Sequence, residues 1–443
     1  MSIRRFHILF AVCTLLFASV SLYLFSPYLA ESASALTQNQ MKRGTPIIGN
    51  RLLVIAPHPD DEVLGGGGLI EQAISSGKQV KVIIMTNGDG FTEDAIRQFK
   101  TLFPSAAEYQ KLGYLRHQES IRALNHLGVK STNIIFLGYP DGGLQSLWES
   151  HWNCIRLYRG LNGATNSPYP FSYQRKAPYC GENVVANLSA IIDKYQPTTI
   201  VFPDPHDEHP DHSATNAFVQ YALANKHDSV QKWTYLVHYD GFLGSWRNNS
   251  LISVVPPYAL TKLDISWIDV PLTKQEQQKK LESLFDYPTQ TEIMSPWLKQ
   301  FVRKNDLLEA YPDVIWRLNK NGAKWSFPEP AGENDLQNWN MDADIVSVEG
   351  MRKGNHFYIG CKTKDYSKHP VTFRFHMRIF YPNGSKRWDF TVQKNHFSQQ
   401  QWVELPYHLL DGANGLLISI ETLSSNQQID RTVWRYVQIN RQL

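Results

Sequence analysis

Between residues 50 and 205 the apolar positions fall into short unbroken blocks rather than alternating singly with polar ones. Leu52 to Ala56, Val80 to Thr86, Ile134 to Leu137 and Thr199 to Phe202 each read as a strand buried on both faces. Helical stretches lie between them. One runs through Ile70 to Ser75 and is closed by Gly77. A second spans Arg116 to Leu127, with Ile121, Leu124 and Leu127 on one face and Gly128 as its stop. A third covers Val184 to Lys194. Strands alternating with helices predict an α/β fold, a Rossmann-like doubly wound, mostly parallel sheet.

From about Asn334 the pattern changes. Phe357 to Cys361, Val371 to Ile379, Trp388 to Val392 and Leu416 to Glu421 read as strands, joined by turns such as Pro382-Asn383-Gly384, with no helix between them. This predicts a separate C-terminal antiparallel β-sandwich domain over 334–443. The stretch 316–333, with Pro328 and Pro330, reads as the linker from an α/β domain over 51–315.

The amino terminus is of another kind. Arg4 and Arg5 precede an apolar run from Ile8 to Phe25, and Ala33-Ser34-Ala35 follows. That is the layout of a secretory signal peptide over 1–35, cleaved after Ala35. Left uncleaved, the run is close to the shortest spanning helix and makes a membrane tether through residues 8–25. Either way the rest of the chain is exported: periplasmic, extracellular or anchored facing out. A polar linker, 36–50, joins this segment to the first strand.

Composition narrows the picture further. A chain of 443 residues calls for two domains. The net charge of +3 has no basic run to concentrate it, so nothing points to nucleic acid. Twelve Trp and 21 Tyr suit either a sugar-binding surface or sandwich cores. Cys154 and Cys180 flank a stretch rich in Gly, Pro, Asn and Tyr, which an exported protein closes with a disulfide unless the two thiols lie apart. Cys361 reads as a buried strand residue.

The chemistry is concentrated in two clusters, each placed just beyond a buried strand, where open α/β sheets hold their ligands. The first is Ala56-Pro57-His58-Pro59-Asp60-Asp61-Glu62, followed by the run Gly65 to Gly68. His58 and Asp61 can grip one ion, leaving Asp60 free to act on something else. The second is Pro203-Asp204-Pro205-His206-Asp207-Glu208-His209-Pro210-Asp211-His212, where His209 and His212 stand three apart at a helix start. Catalytic zinc takes three protein ligands and keeps a place for water. His58, Asp61 and His212 supply three, Asp60 can serve as general base, and His209 can face an oxyanion or protonate a leaving amine. Asp211 can hold a histidine's second ring nitrogen. No G-x-S-x-G elbow supports a serine hydrolase.

These motifs resemble the PIG-L/LmbE-like deacetylases, whose signature is A-H-P-D-D-E near the first strand and H-P-D-H much later. Pro57, inserted before His58, is the departure; His209-Pro210-Asp211-His212 matches outright. Arg116-x-x-Glu119 and Leu137-Gly138-Tyr139-Pro140-Asp141-Gly142-Gly143-Leu144 extend the likeness over about residues 50 to 305. The resemblance implies that His58, Asp61 and His212 bind Zn²⁺, that Asp60 is the base and that His209 is its electrostatic partner. Arg116 then approaches substrate or ties loops together, and Asp141 joins it as a substrate or supporting residue. The substrate it implies is an N-acetylated amino sugar, of the N-acetylglucosamine type, in a glycan or glycoconjugate. The donor set of two His and one Asp also accepts other divalent transition metals.

Leu144 to Asn183 is long for that family and would shape the acceptor site. The β domain lies outside the resemblance and either binds glycan or packs on the enzyme. Three rivals stand beside the deacetylase: an amidase acting on a larger amino-sugar conjugate, a non-catalytic glycan-binding envelope protein, and a structural metal protein. Asp60 argues against the last, since a structural site needs no spare carboxylate beside an open position.

Overall fold

The computed structural model describes residues 42, 43, 48–224, 226, 230–243, 250–318, 321–332, 334–366, 370–394 and 398–440. The expected export segment 1–35 lies outside them, as does most of the expected linker 36–50. Among the described residues no helix is long and apolar enough to cross a membrane.

One sheet organises the first two-thirds of the chain. Its strands are β1 (Lys42–Arg43), β2 (Arg51–Ala56), β3 (Gln79–Thr86), β4 (Ile134–Tyr139), β5 (Thr199–Pro203), β6 (Gln231–Tyr235), β7 (Ser266–Pro271) and β8 (Asn305–Ala310), in the order β1-β7-β8-β6-β5-β2-β3-β4. From β6 to β4 every pair is parallel, and β8 runs antiparallel to both β6 and β7. The chain moves outward from β2 to β3 and β4, then returns to the other side of β2 for β5 and β6. The reversal therefore falls between β2 and β5, and the loops leaving their carboxyl ends part to form a crevice.

Among the described residues, eight α-helices accompany this sheet: α1 (Asp61–Ser75), α2 (Thr92–Phe99), α3 (Ala106–His126), α4 (Leu144–Glu149), α5 (Gly181–Tyr195), α6 (Pro210–Leu223), α7 (Lys274–Phe285) and α8 (Pro288–Leu298). Because both faces of β2 are covered, its side chains divide between two cores. Leu52 and Val54 pack with Val82, Ile84 and Leu124; Leu53 and Ile55 pack with Ile83, Leu188 and Phe218. The glycine run lies inside α1. A Cβ on Gly65 would stand 2.1 Å from the Tyr235 ring, and one on Gly68 would stand 2.3 Å from Leu272. Here glycine lets α1 approach the sheet closely.

The C-terminal part is built from β9 (Val314–Arg317), β10 (Lys324–Pro328), β11 (Ile345–Lys353), β12 (His356–Thr363), β13 (Val371–Tyr381), β14 (Gly384–Lys394), β15 (Gln400–Leu405), β16 (Gly415–Ser424), β17 (Gln427–Arg431) and β18 (Arg435–Asn440). One sheet runs β10-β11-β12-β15; the other runs β14-β13-β16-β18-β9, with β17 on β16. All pairs are antiparallel except β18 with β9. Between the sheets lie Trp316, Trp325, Phe327, Phe357, Phe373 and Ile418, so part of the chain's aromatic content goes to a sandwich core.

Two expectations are corrected here. The stretch 316–333, expected as a linker, supplies the second half of β9 and all of β10. Trp316, Trp325 and Phe327 alternate with exposed neighbours, and that period of two outweighs Pro328, which sits at a strand end where its missing N–H costs little. Short helices also interrupt the strands: α9 (Asp335–Trp339), started by a capping box between Asn334 and Gln337, and α10 (Tyr407–Leu410). The sandwich packs directly on the first part. Phe380 and Leu417 join the core that holds Trp148 and Phe218, and Gln220 of α6 bonds the backbone of both Trp434 and Tyr436.

Candidate active site

The loops after β2 and β5 meet in the crevice and bring the two sequence clusters together. The Oδ2 of Asp61 lies 3.1 Å from Nδ1 of His58 and 3.0 Å from Nε2 of His212. His58, His209 and His212 each offer a ring nitrogen within 4.8 Å of the other two. The outer nitrogens of two rings are taken by carboxylates. Nε2 of His58 is 3.1 Å from Asp141 and 3.3 Å from Asp211; Nδ1 of His212 is 3.1 Å from Asp207. With their outer edges engaged, His58 and His212 turn their inner nitrogens toward Asp61.

This arrangement fits a divalent cation. Nε2 of His212 is buried and makes no directed hydrogen bond, although Asp61 is within 3.0 Å. Two donors that address a third point instead of each other leave that signature. Asp60, Asp61, Asp141, Asp207 and Asp211 crowd the site, against Arg116 as the fixed cation beside them. Burial alone would strip His212 of its proton, but Asp207 and Asp61 outweigh it and push the imidazole up to about 9. A cation would take the place of that proton.

Asp60 stands beside this centre in a strained conformation, with φ of 111°, a left-handed backbone that side chains other than glycine rarely adopt. Glu62 holds it there: its Oε2 accepts the Asp60 N–H at 3.1 Å while Tyr287 donates to Oε1. Burial, reinforced by the charge of Asp61, keeps the Asp60 carboxyl well above the usual carboxylate range. Burial likewise pushes Glu62 up to about 7.

His209 caps α6, and its Nδ1 accepts the Asp211 N–H. The ring proton is thereby assigned to Nε2. Burial, with His58 and His212 adding repulsion, lowers His209 to about 3. It is a neutral N–H donor, so of its two expected roles the geometry favours facing an oxyanion over protonating an amine.

The remaining expected residues are supporting parts. Arg116 of α3 is buried; it donates to the carbonyls of Pro59 at 2.7 Å and Gly88 at 3.0 Å and lies 3.7 Å from Asp60. It ties two site loops together. Asp211 accepts the N–H groups of Gly142 and Leu144, and Asp141 accepts that of Gly90, so both carboxylates also lock the turn after β4.

Two further residues had no role in the sequence reading. Asp207 accepts the backbone N–H groups of His209, Val237 and His238 as well as facing His212. It stood in the quoted cluster, but spacing alone did not separate it from its acidic neighbours. His238 lies three residues past β6, with its ring 4.6 Å from that of His212 and stacked on Trp297. The rule that found the other clusters, chemistry just beyond a parallel strand, could have found it. His206 turns the other way, to Asp204 and Tyr311.

The Leu144–Asn183 stretch borders the site. Cys154 and Cys180 are joined in a disulfide. Tyr169 and Asn162 bond the Asp89 carboxylate at 2.6 and 2.7 Å, and the Tyr158 ring lies against Gly143.

Residues 53–223 match the family described as PIG-L: GlcNAc-PI de-N-acetylase. A 1D-myo-inositol 2-acetamido-2-deoxy-alpha-D-glucopyranoside deacetylase from Mycobacterium sp. (strain JLS) is 30% identical over 309 residues, covering 66% of this chain and 88% of that protein. The chain belongs to the PIG-L family. A relative of the same description from Mycobacterium sp. (strain KMS) is 30% identical over 193 residues, 42% of this chain and 54% of its own length. Among solved structures, the N,N'-diacetylchitobiose deacetylase from Pyrococcus horikoshii is 20% identical with a TM-score of 0.33, covering 56% of this chain and 75% of that one. The family match spans both clusters that form the crevice, and it ends at the last residue of α6.

Proposed function

We propose that this PIG-L protein is a zinc-dependent hydrolase that removes the acetyl group from an N-acetylglucosamine-type amino sugar in a glycan or glycoconjugate. The observation that carries the reading is Asp60, a strained carboxylate beside, but outside, the convergence of His58, Asp61 and His212. The 1D-myo-inositol 2-acetamido-2-deoxy-alpha-D-glucopyranoside deacetylases among its relatives support the substrate class.

His58, Asp61 and His212 would hold the cation, which when bound polarises the amide carbonyl and makes a nearby water more acidic. Asp60 accepts the proton of the attacking water. The Nε2–H of His209 donates to the oxygen that gains charge as the carbonyl carbon becomes tetrahedral. Asp207, Asp141 and Asp211 hold the imidazoles in orientation. Asp60 can then return its proton to the departing amine, which leaves with acetate as second product.

The chemistry takes place outside the cytoplasm, after cleavage at Ala35 or with residues 8–25 as a tether; the charged, apolar and small-residue segments of the amino terminus support this. The β-sandwich serves as an accessory domain.

The test is acetate release from N-acetylglucosamine oligomers and conjugates by protein lacking residues 1–35, with and without zinc. Zinc-dependent acetate that disappears in Asp60→Ala, with the metal retained, is the expected result. Full activity in Asp60→Ala overturns the base assignment. Bound metal without acetate from any sugar moves the reading to an amidase on larger conjugates.

A further inference from the structure

Away from the crevice, where α4 meets β13, β14, β16 and β17, a recess of about 240 Å³ is lined by Arg374, Arg378, Arg387, Arg431, His376 and Trp434, among others. Three of its four guanidiniums are matched by acids. Arg374 pairs with Glu421, Arg387 with Asp389 and Arg431 with Glu149. His376 lies between Asp389 and Glu421.

Arg378 differs from the rest. It is 3% exposed, and among the described residues no carboxylate lies within ion-pair distance of it. Its guanidinium is 3.7 Å from the ring centre of Trp152 and 4.7 Å from that of Trp148, and one nitrogen donates to the Trp148 carbonyl. Its Nε–H is buried with no acceptor. Burial first, and then the charge of Arg387, lower Arg378 to about 10. A buried guanidinium with an unused N–H, beside a second one and no acid of its own, is poised for an anion that the fold does not supply. Arg374 and Arg387, with side chains 44% and 42% exposed, leave the mouth open to solvent.

We propose that this recess binds an oxyanion, a carboxylate or phosphate, carried by a sugar or free in solution. Planar guanidinium forks match both groups, and Trp434 lines the same recess. The site stands apart from the cation centre, and nothing in it depends on the hydrolase reading.

The test is titration of inorganic phosphate, glucuronate and neutral glucose into the zinc-loaded chain, followed by calorimetry and by the fluorescence of the nearby tryptophans. Each titration is repeated in His212→Ala, so that an anion held at the cation centre is told apart. One saturable event is expected for phosphate or glucuronate and none for glucose, unchanged in His212→Ala. Arg387→Gln and Arg378→Lys should each weaken it at least tenfold. Glucuronate binding with phosphate silent identifies a sugar-borne carboxylate; the reverse identifies a phosphate. No saturable binding of either anion, or binding that Arg387→Gln leaves unchanged, overturns the proposal and leaves Arg378 as a structural tie between α4 and the sandwich.

Discussion

The Nδ1 of His212 sits 3.1 Å from the Oδ2 of Asp207, and both side chains are fully buried. The same carboxylate accepts three backbone N–H groups, so its place is set from several directions. Asp207→Asn would turn an amide N–H₂ toward one of those donors and loosen the ring of His212. The expected outcome is a cation affinity about 10–100-fold weaker, measured by competition with a chelator. Unchanged affinity would mean that Asp207 only braces the loop.

Arg116→Ala separates the two roles that the sequence left open. With its guanidinium on the carbonyls of Pro59 and Gly88, its loss displaces the segment carrying Asp60. The expected kinetics are a kcat lower by roughly 10²-fold, as for a misplaced catalytic group, with KM little changed. A rise in KM at constant kcat would show instead that Arg116 grips the substrate.

Gly65→Ala tests the close approach of α1 to β6. The added methyl falls within 2.1 Å of the Tyr235 ring, and Tyr235 is tied to the Ile55 carbonyl beneath the first cluster. Overpacking of this kind costs roughly 1–3 kcal/mol, read as a lowered denaturation midpoint. A gain in stability would show that the ring moves aside freely.

Asp430 makes stability depend on pH. Burial, with the charge of Asp344 adding to it, pushes its carboxyl up to about 7, although Gln337 and the Ile345 N–H oppose the rise. In the unfolded chain it ionises near pH ~4. Between those values the folded chain holds a proton that the unfolded chain has lost, so this stability is present in full below about pH 4. It is lost as pH rises through about 7, at roughly 1.4 kcal/mol per unit. Asp430→Asn should remove that slope. Denaturation at pH 4.5 and 7.5 should therefore show the wild type losing ground to the variant as pH rises; a constant difference contradicts the account.

The disulfide between Cys154 and Cys180 closes a loop across 26 positions. In the chain-entropy view such a link contributes about 3.5 kcal/mol. Cys154→Ser with Cys180→Ser should lower the melting temperature and leave the Asp60 centre intact, so that kcat at low temperature is retained. A loss of kcat equal to the loss of stability would show that the loop positions the site directly.

Much of this protein is decided locally, and that part is legible in the chain. Leu52 to Ala56 and Thr199 to Phe202 are apolar on both faces, which only a covered parallel strand tolerates, and the chemistry follows each within a few residues. Hence the α/β architecture could be picked out in advance, and so could the two clusters, with His58, Asp60, Asp61, His209 and His212, that the crevice brings together. What spacing cannot convey is which atom faces which. Asp207 and Glu208 look alike in sequence, and only the return of β6 beside β5 brings the Val237 and His238 amides to the first of them. Arg116 of α3 is committed to the carbonyls of Pro59 and Gly88, on loops that lie 57 and 28 residues before it. Much of the stretch 316–333 becomes strand because it pairs with β11, about 20–27 residues away, and with β18, about 120 residues away. Strand pairing is a non-local contact, so its partner is settled by topology, whereas helix periodicity and loop chemistry are carried by neighbours in the chain.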